Sequence, residues 1–298
     1  MDLVLTLIAK PGCDVLDDST ISTVRMALKL RGIQIHPPVW LSEGEALDIF
    51  FDHDTLDDIH IAVSNALQNA SIDVIVQKSD RRRKKLLVAD MDSTIVQGET
   101  LDELAEFAGL KEAITAITGR AMRGELDFTE ALYSRVQMLK GLDESFLAKT
   151  MSAVKLSPGA PSLIKTMRAN GAVTALISGG FSYFTDRIRE QVGFHTSLGN
   201  QLEIKNGKLT GNVIPPIVSK DVKLEMLMDI AEQQGLSLSD TMTIGDGAND
   251  VPMLSKAGIG VAYHAHPIAR QAAHARLDHA NLCGALYIQG YHKNEFVN

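Results

Sequence analysis

Apolar residues change their spacing at a few sharp points along the chain, and those points divide it into strands and helices. "DLVLTLIA" (Asp2 to Ala9), "ALDIFFD" (Ala46 to Asp52) and "SIDVIVQ" (Ser71 to Gln77) are apolar runs of strand length. Between them, "STISTVRMALKLRG" (Ser19 to Gly32) and "DTLDDIHIAVSNALQN" (Asp54 to Asn69) repeat at helical spacing. The first has a serine to cap it and a glycine to stop it, and the second opens on Asp and Thr. The order is βαβ(β)αβ, a small α/β module. From residue 86 a different pattern takes over. "KLLVAD" closes on Asp90, "VTALIS" on Ser178 and "TMTIGD" on Asp246, each an apolar run with a polar last residue. Such runs alternating with helices predict a parallel sheet covered on both faces, whose ligands bind at the carboxyl ends of the strands. From Thr100 to Leu156, four segments carry apolar residues at i, i+3 and i+4 with Gly or Asp at the breaks, which predicts a helical insertion.

Composition adds bounds. At 298 residues, 45% hydrophobic and 22% charged, the chain is that of a globular protein with room for two domains. No apolar run approaches the ~18 residues of a membrane span, and the N-terminus has neither a basic leader nor a cleavage signal, so no membrane association is expected. Cys13 and Cys283 are far apart; two reduced cysteines and a cytoplasmic location are the expectation. Residues 1–80 hold 5 Lys/Arg against 13 Asp/Glu, leaving 24 of each sign in residues 81–298. All the net acidity sits in the first segment, so the boundary is placed there, with domains at 1–80 and 81–298. "QKSDRRRKKLL" (Gln77 to Leu87) reads as a solvated linker, with few core contacts crossing it. Its run of five consecutive bases has no interleaved aromatics and a neutral or acidic surround, so no nucleic-acid partner is expected.

The strand ends carry the chemistry. Asp90 and Asp92 lie two apart, where like charges raise each other's pKa unless a cation sits between them. With Asp246 from another strand they form a hard-oxygen site suited to Mg²⁺. "SGG" (Ser178 to Gly180) offers a hydroxyl and backbone amides ahead of the helix "FSYFTDRIREQVG", an anion-binding arrangement. A lysine from "SKDVKLEML", either Lys220 or Lys223, adds positive charge. Together these suit phosphoryl transfer to a carboxylate nucleophile. Three other features carry less. "YHAHP" (Tyr263 to Pro267) has two histidines but no third ligand. "GIGVA" (Gly258 to Ala262) lacks a full dinucleotide fingerprint and reads as a turn into a strand. Trp40 reads as a packing residue.

The stretch "DMDST" resembles the D-x-D-x-T signature of the haloacid dehalogenase superfamily of phosphohydrolases, and "GDGANDVPML" (Gly245 to Leu254) its G-D-x-x-x-D element. "DMDSTIVQGETLDELAEFAG", "ISGGF", "GKLTG" and "IGDGANDVPML" together resemble the phosphoserine phosphatase family, over residues 86–290. The resemblance implies a Rossmann-like parallel sheet with an inserted helical cap at about 100–156. It implies hydrolysis of O-phospho-L-serine through an aspartyl-phosphate, the last step of serine biosynthesis. Asp90 would be the nucleophile and Asp92 the acid and base. Mg²⁺ would lie on the carboxylates of Asp90 and Asp246 and the carbonyl of Asp92, with Asp250 supporting it. Ser178, Gly179 and Lys223 would hold phosphate, the family's spacing favouring Lys223 over Lys220, and Asn249 would lie beside the substrate. In the cap, Glu99 would receive the ammonium and Arg135 the carboxylate, with Met122 and Phe128 on the apolar side. The N-terminal element order resembles ACT-type, ferredoxin-like domains, which implies an association or regulatory role, an amino-acid effector and a homodimer. The alternatives are a phosphatase or phosphotransferase for another small phosphate ester, and an amino-acid-sensing regulatory protein.

Overall fold

The computed structural model describes residues 3–53, 57–68, 70–122 and 127–298. In the N-terminal segment, β1 (Leu3–Ala9) lies between β3 (Ala46–Phe51) and β4 (Ile72–Lys78), antiparallel to both, and β2 (Val39–Ser42) extends the sheet beyond β3. With α1 (Asp18–Lys29) and α2 (Asp57–Ala66) this is a split β-α-β arrangement. Leu3, Leu5 and Leu7 of β1 pack with Val24 and Leu28 of α1 and Ile59 and Val63 of α2. Ile8 turns to the opposite face with Ala46 and Ile75, into the larger core of the molecule. Both faces of this sheet are therefore buried, which is why β1 reads as one apolar run rather than an alternation. The cap of α1 is Asp17, whose carboxylate accepts the Thr20 amide at 2.8 Å, not the expected Ser19. The expected start of α2 at Asp54 and Thr55 lies outside the described residues.

The second sheet has seven strands. β5 (Leu86–Ala89) is central, flanked by β6 (Val173–Phe181) and β9 (Thr241–Gly245). β7 (Thr196–Lys205) and β8 (Lys208–Ile214) continue beyond β6, and β10 (Ile259–Tyr263) and β11 (Ala275–Leu277) beyond β9. Every neighbouring pair is parallel except β7–β8, an antiparallel hairpin at the edge, so the expected parallel sheet is mixed. The helices on its faces are α7 (Ala160–Ala169), α8 (Ser182–Val192), α9 (Lys220–Gln233), α10 (Val251–Lys256), α11 (Pro267–Ala272) and α12 (Gly284–Ile288), with α3 (Thr100–Phe107), α4 (Lys111–Met122), α5 (Phe128–Met138) and α6 (Ser145–Ala153) between β5 and α7. The chain enters and leaves these four helices side by side: Val96 and Leu156 form an antiparallel bridge, and the Gln97 amide donates to the Lys155 carbonyl at 2.8 Å. That neck sets the helical insertion over the ends of β5 and β6.

The segment read as a solvated linker is partly buried, and this corrects the expectation. Arg82 is 8% exposed, its guanidinium forked on Asp48 at 2.6 and 3.2 Å. It also donates to the Thr6 hydroxyl and to the carbonyls of Tyr287 and Ile288 in α12. Asp73 of β4 accepts the backbone amides of Asp278, His279 and Ala280, just past β11. Several polar contacts and an apolar face therefore join the first 80 residues to the rest, where charge balance alone suggested few. Trp40 packs at the rim of the N-terminal core, and Gly258–Ala262 runs into β10 as expected.

Candidate active site

The carboxyl ends of β5, β6 and β9 meet under the helical insertion around a cavity of about 400 Å³. Asp90, Asp92, Glu99, Arg135, Ser178, Gly179, Asp246 and Asn249 all line it, so three strand ends, the loop after β9 and the insertion contribute to one site. Leu101, Thr118, Ala131 and Leu132 add the side nearest the insertion. Met122 lies in α4 and Phe128 in α5, but their side chains are outside the described residues.

Asp90 follows β5 directly, 4% exposed, its amide still paired with the Ile244 carbonyl of β9. One carboxylate oxygen accepts the Met91 amide at 2.7 Å; the other meets Lys223 Nζ at 2.8 Å and Asn249 Nδ2 at 3.3 Å. The chain then turns sharply, with Ser93 at φ 52°, and carries Asp92 back toward the cavity. Asp92 accepts the Thr100 amide at 2.9 Å, fixing its carboxylate to the first turn of α3. Burial pushes the Asp92 carboxyl up to about 8, and the charges of Glu99 and Asp90 add to the rise. Gly180 of β6 passes so close that a Cβ there would stand 2.6 Å from the Asp92 carboxylate, so only glycine fits.

Of the two candidate lysines, Lys223 is the one that reaches the acids. It is 1% exposed on α9, bridging Asp90 at 2.8 Å and Asp250 at 2.7 Å, whereas Lys220 is exposed at the helix start. Burial opposes its charge, but Asp250 and Asp90 outweigh that and hold its pKa above the ordinary lysine value. Asp250 is fully buried and committed: one oxygen takes Lys223, and the other accepts the amides of Asp246 and Gly247 at 3.1 and 3.0 Å. Asp246 accepts a hydrogen bond from the Thr94 hydroxyl at 3.1 Å. Burial pushes its carboxyl up to about 8, with the charges of Asp90 and Asp250 adding. Asp90, Asp246 and Asp250 each offer an oxygen, all within 4.8 Å of one another.

Glu99 keeps some solvent contact because it lines the cavity, yet the protein around it desolvates the carboxyl and raises its pKa; the Ser93 hydroxyl donates to it at 2.8 Å. Arg135 is half-buried in α5, with desolvation lowering its pKa against the pull of Glu99, Asp102 and Asp92. Both line the cavity, Glu99 from the N-cap of α3 and Arg135 from the last turn of α5. Ser178 Oγ accepts the Gly180 amide at 2.9 Å. Sequence reasoning passed over Thr94, though it stands in the same "DMDST" stretch, and Thr118 and Leu132, which carried no signal beyond helical spacing. His264 and His266 stay out of the acid cluster; the His266 amide donates to the Asp246 carbonyl at 2.9 Å.

Residues 87–255 match the haloacid dehalogenase-like hydrolase family. A phosphoserine phosphatase of Archaeoglobus fulgidus is 41% identical over 219 residues, covering 73% of this chain and 64% of that protein. One from Streptococcus thermophilus is 47% identical over 190 residues, covering 64% of this chain and 88% of that protein. Among solved structures, an unliganded probable phosphoserine phosphatase of Vibrio cholerae superimposes with a TM-score of 0.79 at 32% identity, covering 99% of this chain and 88% of that one. The chain spans 64% of the length of the Archaeoglobus relative, so likeness to it is likeness to part of a longer protein.

Proposed function

The chain belongs to the haloacid dehalogenase-like hydrolases, and from that premise we propose that it hydrolyses O-phospho-L-serine to serine and phosphate, the last step of serine biosynthesis. The observation that carries the reading is the placing of two acids, two residues apart, in different surroundings at one cavity. Asp90 is tied to Lys223, and Asp92, two residues on, is pushed up to about 8. A carboxylate held by a lysine beside a carboxyl raised by burial suits attack by the first and leaving-group protonation by the second.

Asp90 attacks the phosphorus, and the bond from phosphorus to the serine oxygen breaks as Asp92 gives that oxygen its proton. Asp92, now ionised, takes a proton from water, the water oxygen bonds to phosphorus, and Asp90 leaves. Ser178 and the Gly179 backbone hold phosphate oxygens, with Lys223 offsetting charge beside them. Glu99 receives the substrate ammonium, Arg135 its carboxylate, and Leu132 and Leu101 its short apolar part. Asn249 holds Asp90 from the substrate side.

The acid cluster fits Mg²⁺. Its donors are hard oxygens, and burial with mutual repulsion raises the Asp246 carboxyl, a penalty a dication relieves. Asp90, Asp246 and the Asp92 carbonyl would hold it. Asp250, whose oxygens are already engaged, positions Asp246. Bound there, the ion supplies Lewis-acid stabilisation of phosphoryl charge. The N-terminal segment, by its split β-α-β order, serves as an ACT-like module for an amino-acid effector or for pairing two chains. Among the described residues no helix is long and apolar enough to cross a membrane, and a cytoplasmic location agrees with that.

Phosphate release from O-phospho-L-serine, with Mg²⁺ and with chelator, tests the reading against phosphate esters lacking the ammonium or the carboxylate, and against added hydroxyl acceptors. Mg²⁺-dependent release favouring phosphoserine is expected. Equal turnover of all esters, or phosphate passing to the acceptor rather than to water, points instead to the broader phosphatase or phosphotransferase.

A further inference from the structure

Asn200, on β7, is fully buried, and both ends of its amide are used. Its Nδ2 donates to the Gly179 carbonyl at 2.8 Å, and its Oδ1 accepts the Val218 amide at 2.8 Å. The first partner lies in the strand-end loop with Ser178. The second lies just before α9, the helix that carries Lys223. One side chain thus ties together two elements assigned to phosphate.

The loop needs such a tie. β6 and β7 pair regularly through Ile177 and Leu198, then slip and resume at Phe181 and Asn200. Residues 178–180 bulge away from the ladder, and the Gly179 carbonyl loses its strand partner. A carbonyl so placed must find another donor, and Asn200 supplies it. The consequence runs through the peptide plane. In a trans peptide the C=O and the following N–H point in opposite directions. Anchoring the Gly179 carbonyl on β7 therefore aims the Gly180 amide the other way, where it donates to Ser178 Oγ. Ser178 then accepts through its oxygen and keeps its own hydrogen for the cavity.

We propose that Asn200 is a positioning residue for phosphate: it orients the Gly179–Gly180 peptide so that Ser178 faces the substrate as a hydrogen-bond donor, and it keeps this loop in register with the start of α9. The inference rests on the phosphatase reading of the site. It touches no reacting atom, and its effect passes through the backbone it holds.

Two variants test it. Asn200→Asp keeps the size and the acceptor for Val218 but replaces the donor to Gly179 with an oxygen. Asn200→Ala removes both. Each is checked for native circular dichroism, then measured for kcat on phosphoserine, for inhibition by inorganic phosphate and for Mg²⁺ affinity by calorimetry. A misaimed donor is expected to lower kcat and weaken phosphate inhibition by about tenfold or more, with Mg²⁺ affinity within about twofold. Should the alanine variant not fold, the aspartate variant decides by the same split. Wild-type kcat and phosphate inhibition in either folded variant overturn the assignment, as does a parallel loss of Mg²⁺ affinity, which marks a general collapse. If the unmodified protein ignores phosphoserine yet binds inorganic phosphate, and the variants weaken that binding, the substrate reading falls and the role of Asn200 stands.

Discussion

Two buried groups of charge sit in this molecule, built alike and balanced differently. At the junction of the first 80 residues with the rest, Arg82 meets Asp48, and its remaining donors end on Thr6 and the carbonyls of α12. One charge answers one charge. At the strand ends, Lys223 bridges Asp90 and Asp250, yet Asp246, Asp92 and Glu99 crowd the same space, and all three are raised by burial and by neighbouring acids, Asp90 among them in each case. The first cluster is closed and can only hold structure. The second has an excess of acid that the protein alone does not neutralise, and that excess is what the proposed Mg²⁺ would offset.

The largest break in that contrast comes at the nucleophile. Asp90→Asn preserves shape and the acceptor for the Met91 amide but removes the attacking charge, so turnover should fall by at least about 10⁴-fold. Asp92→Asn should cost ~10²–10⁴-fold, through proton transfer alone. Phosphate release by each folded variant measures both. Substantial activity in Asp90→Asn would mean that the nucleophile lies elsewhere.

The closed cluster should answer in stability and not in chemistry. Arg82→Ala leaves Asp48 buried without its ion pair, an expected loss of about 3–5 kcal/mol in urea unfolding, with kcat unchanged while the fold persists. Arg82→Met paired with Asp48→Leu removes both charges and should restore most of that loss. A double variant no better than the single one would mean that the hydrogen bonds to α12, not the pair, hold the junction. The same contacts reverse an expectation drawn from charge balance. Residues 81–298 alone would expose the apolar surface that Ile8, Ala46 and Ile75 cover and leave Arg82 without Asp48.

Some of this was legible in the sequence and some was not, for physical reasons. Asp90, Ser178 and Asp246 stood out because a strand buried on both faces is apolar throughout, so a polar last residue has no packing reason to be there. Lys220 and Lys223 are three residues apart, about 300° of helical rotation. They lie on adjoining parts of one face, and only the packing of α9 decides which one is buried. Arg82 hid in a run of bases whose composition says solvent, although its partner left a trace as the lone acid inside "ALDIF". Asn200 left none. A buried amide that mends a bulge looks, in sequence, like any turn residue, and the bulge exists only once two strands are paired.

Specificity gives a smaller effect. Arg135 is half-buried and lines the cavity, so Arg135→Ala should raise KM for phosphoserine by roughly 10- to 150-fold, about 1.5–3 kcal/mol. KM for an ester without a carboxylate should barely move. Equal losses on both would make Arg135 a structural residue of α5.

The smallest effect tests the excess of acid itself, and its sign is opposite to that of most active-site damage. Asp246 titrates at about 8 in the folded chain against an ordinary 3.8, and Asp92 is likewise pushed up to about 8. Between those values the folded state holds protons that the unfolded chain has released, so stability falls as pH rises through the window. His195 and His274, depressed by burial, act in the other direction, but only below about pH 6.5, where the unfolded chain begins to take up their protons. From pH 6.5 to 8 in chelator, then, the protein should lose stability, by at most about 1.4 kcal/mol per pH unit for each such acid. Asp246→Asn keeps the acceptor for Thr94 and removes one titrating carboxyl. It should stabilise the metal-free protein by about 1–2 kcal/mol at pH 7.5 and flatten the slope, while abolishing the gain in melting temperature that Mg²⁺ gives the unmodified chain. An unchanged slope in Asp246→Asn would show that the acids at the strand ends are no more frustrated than the pair at Arg82.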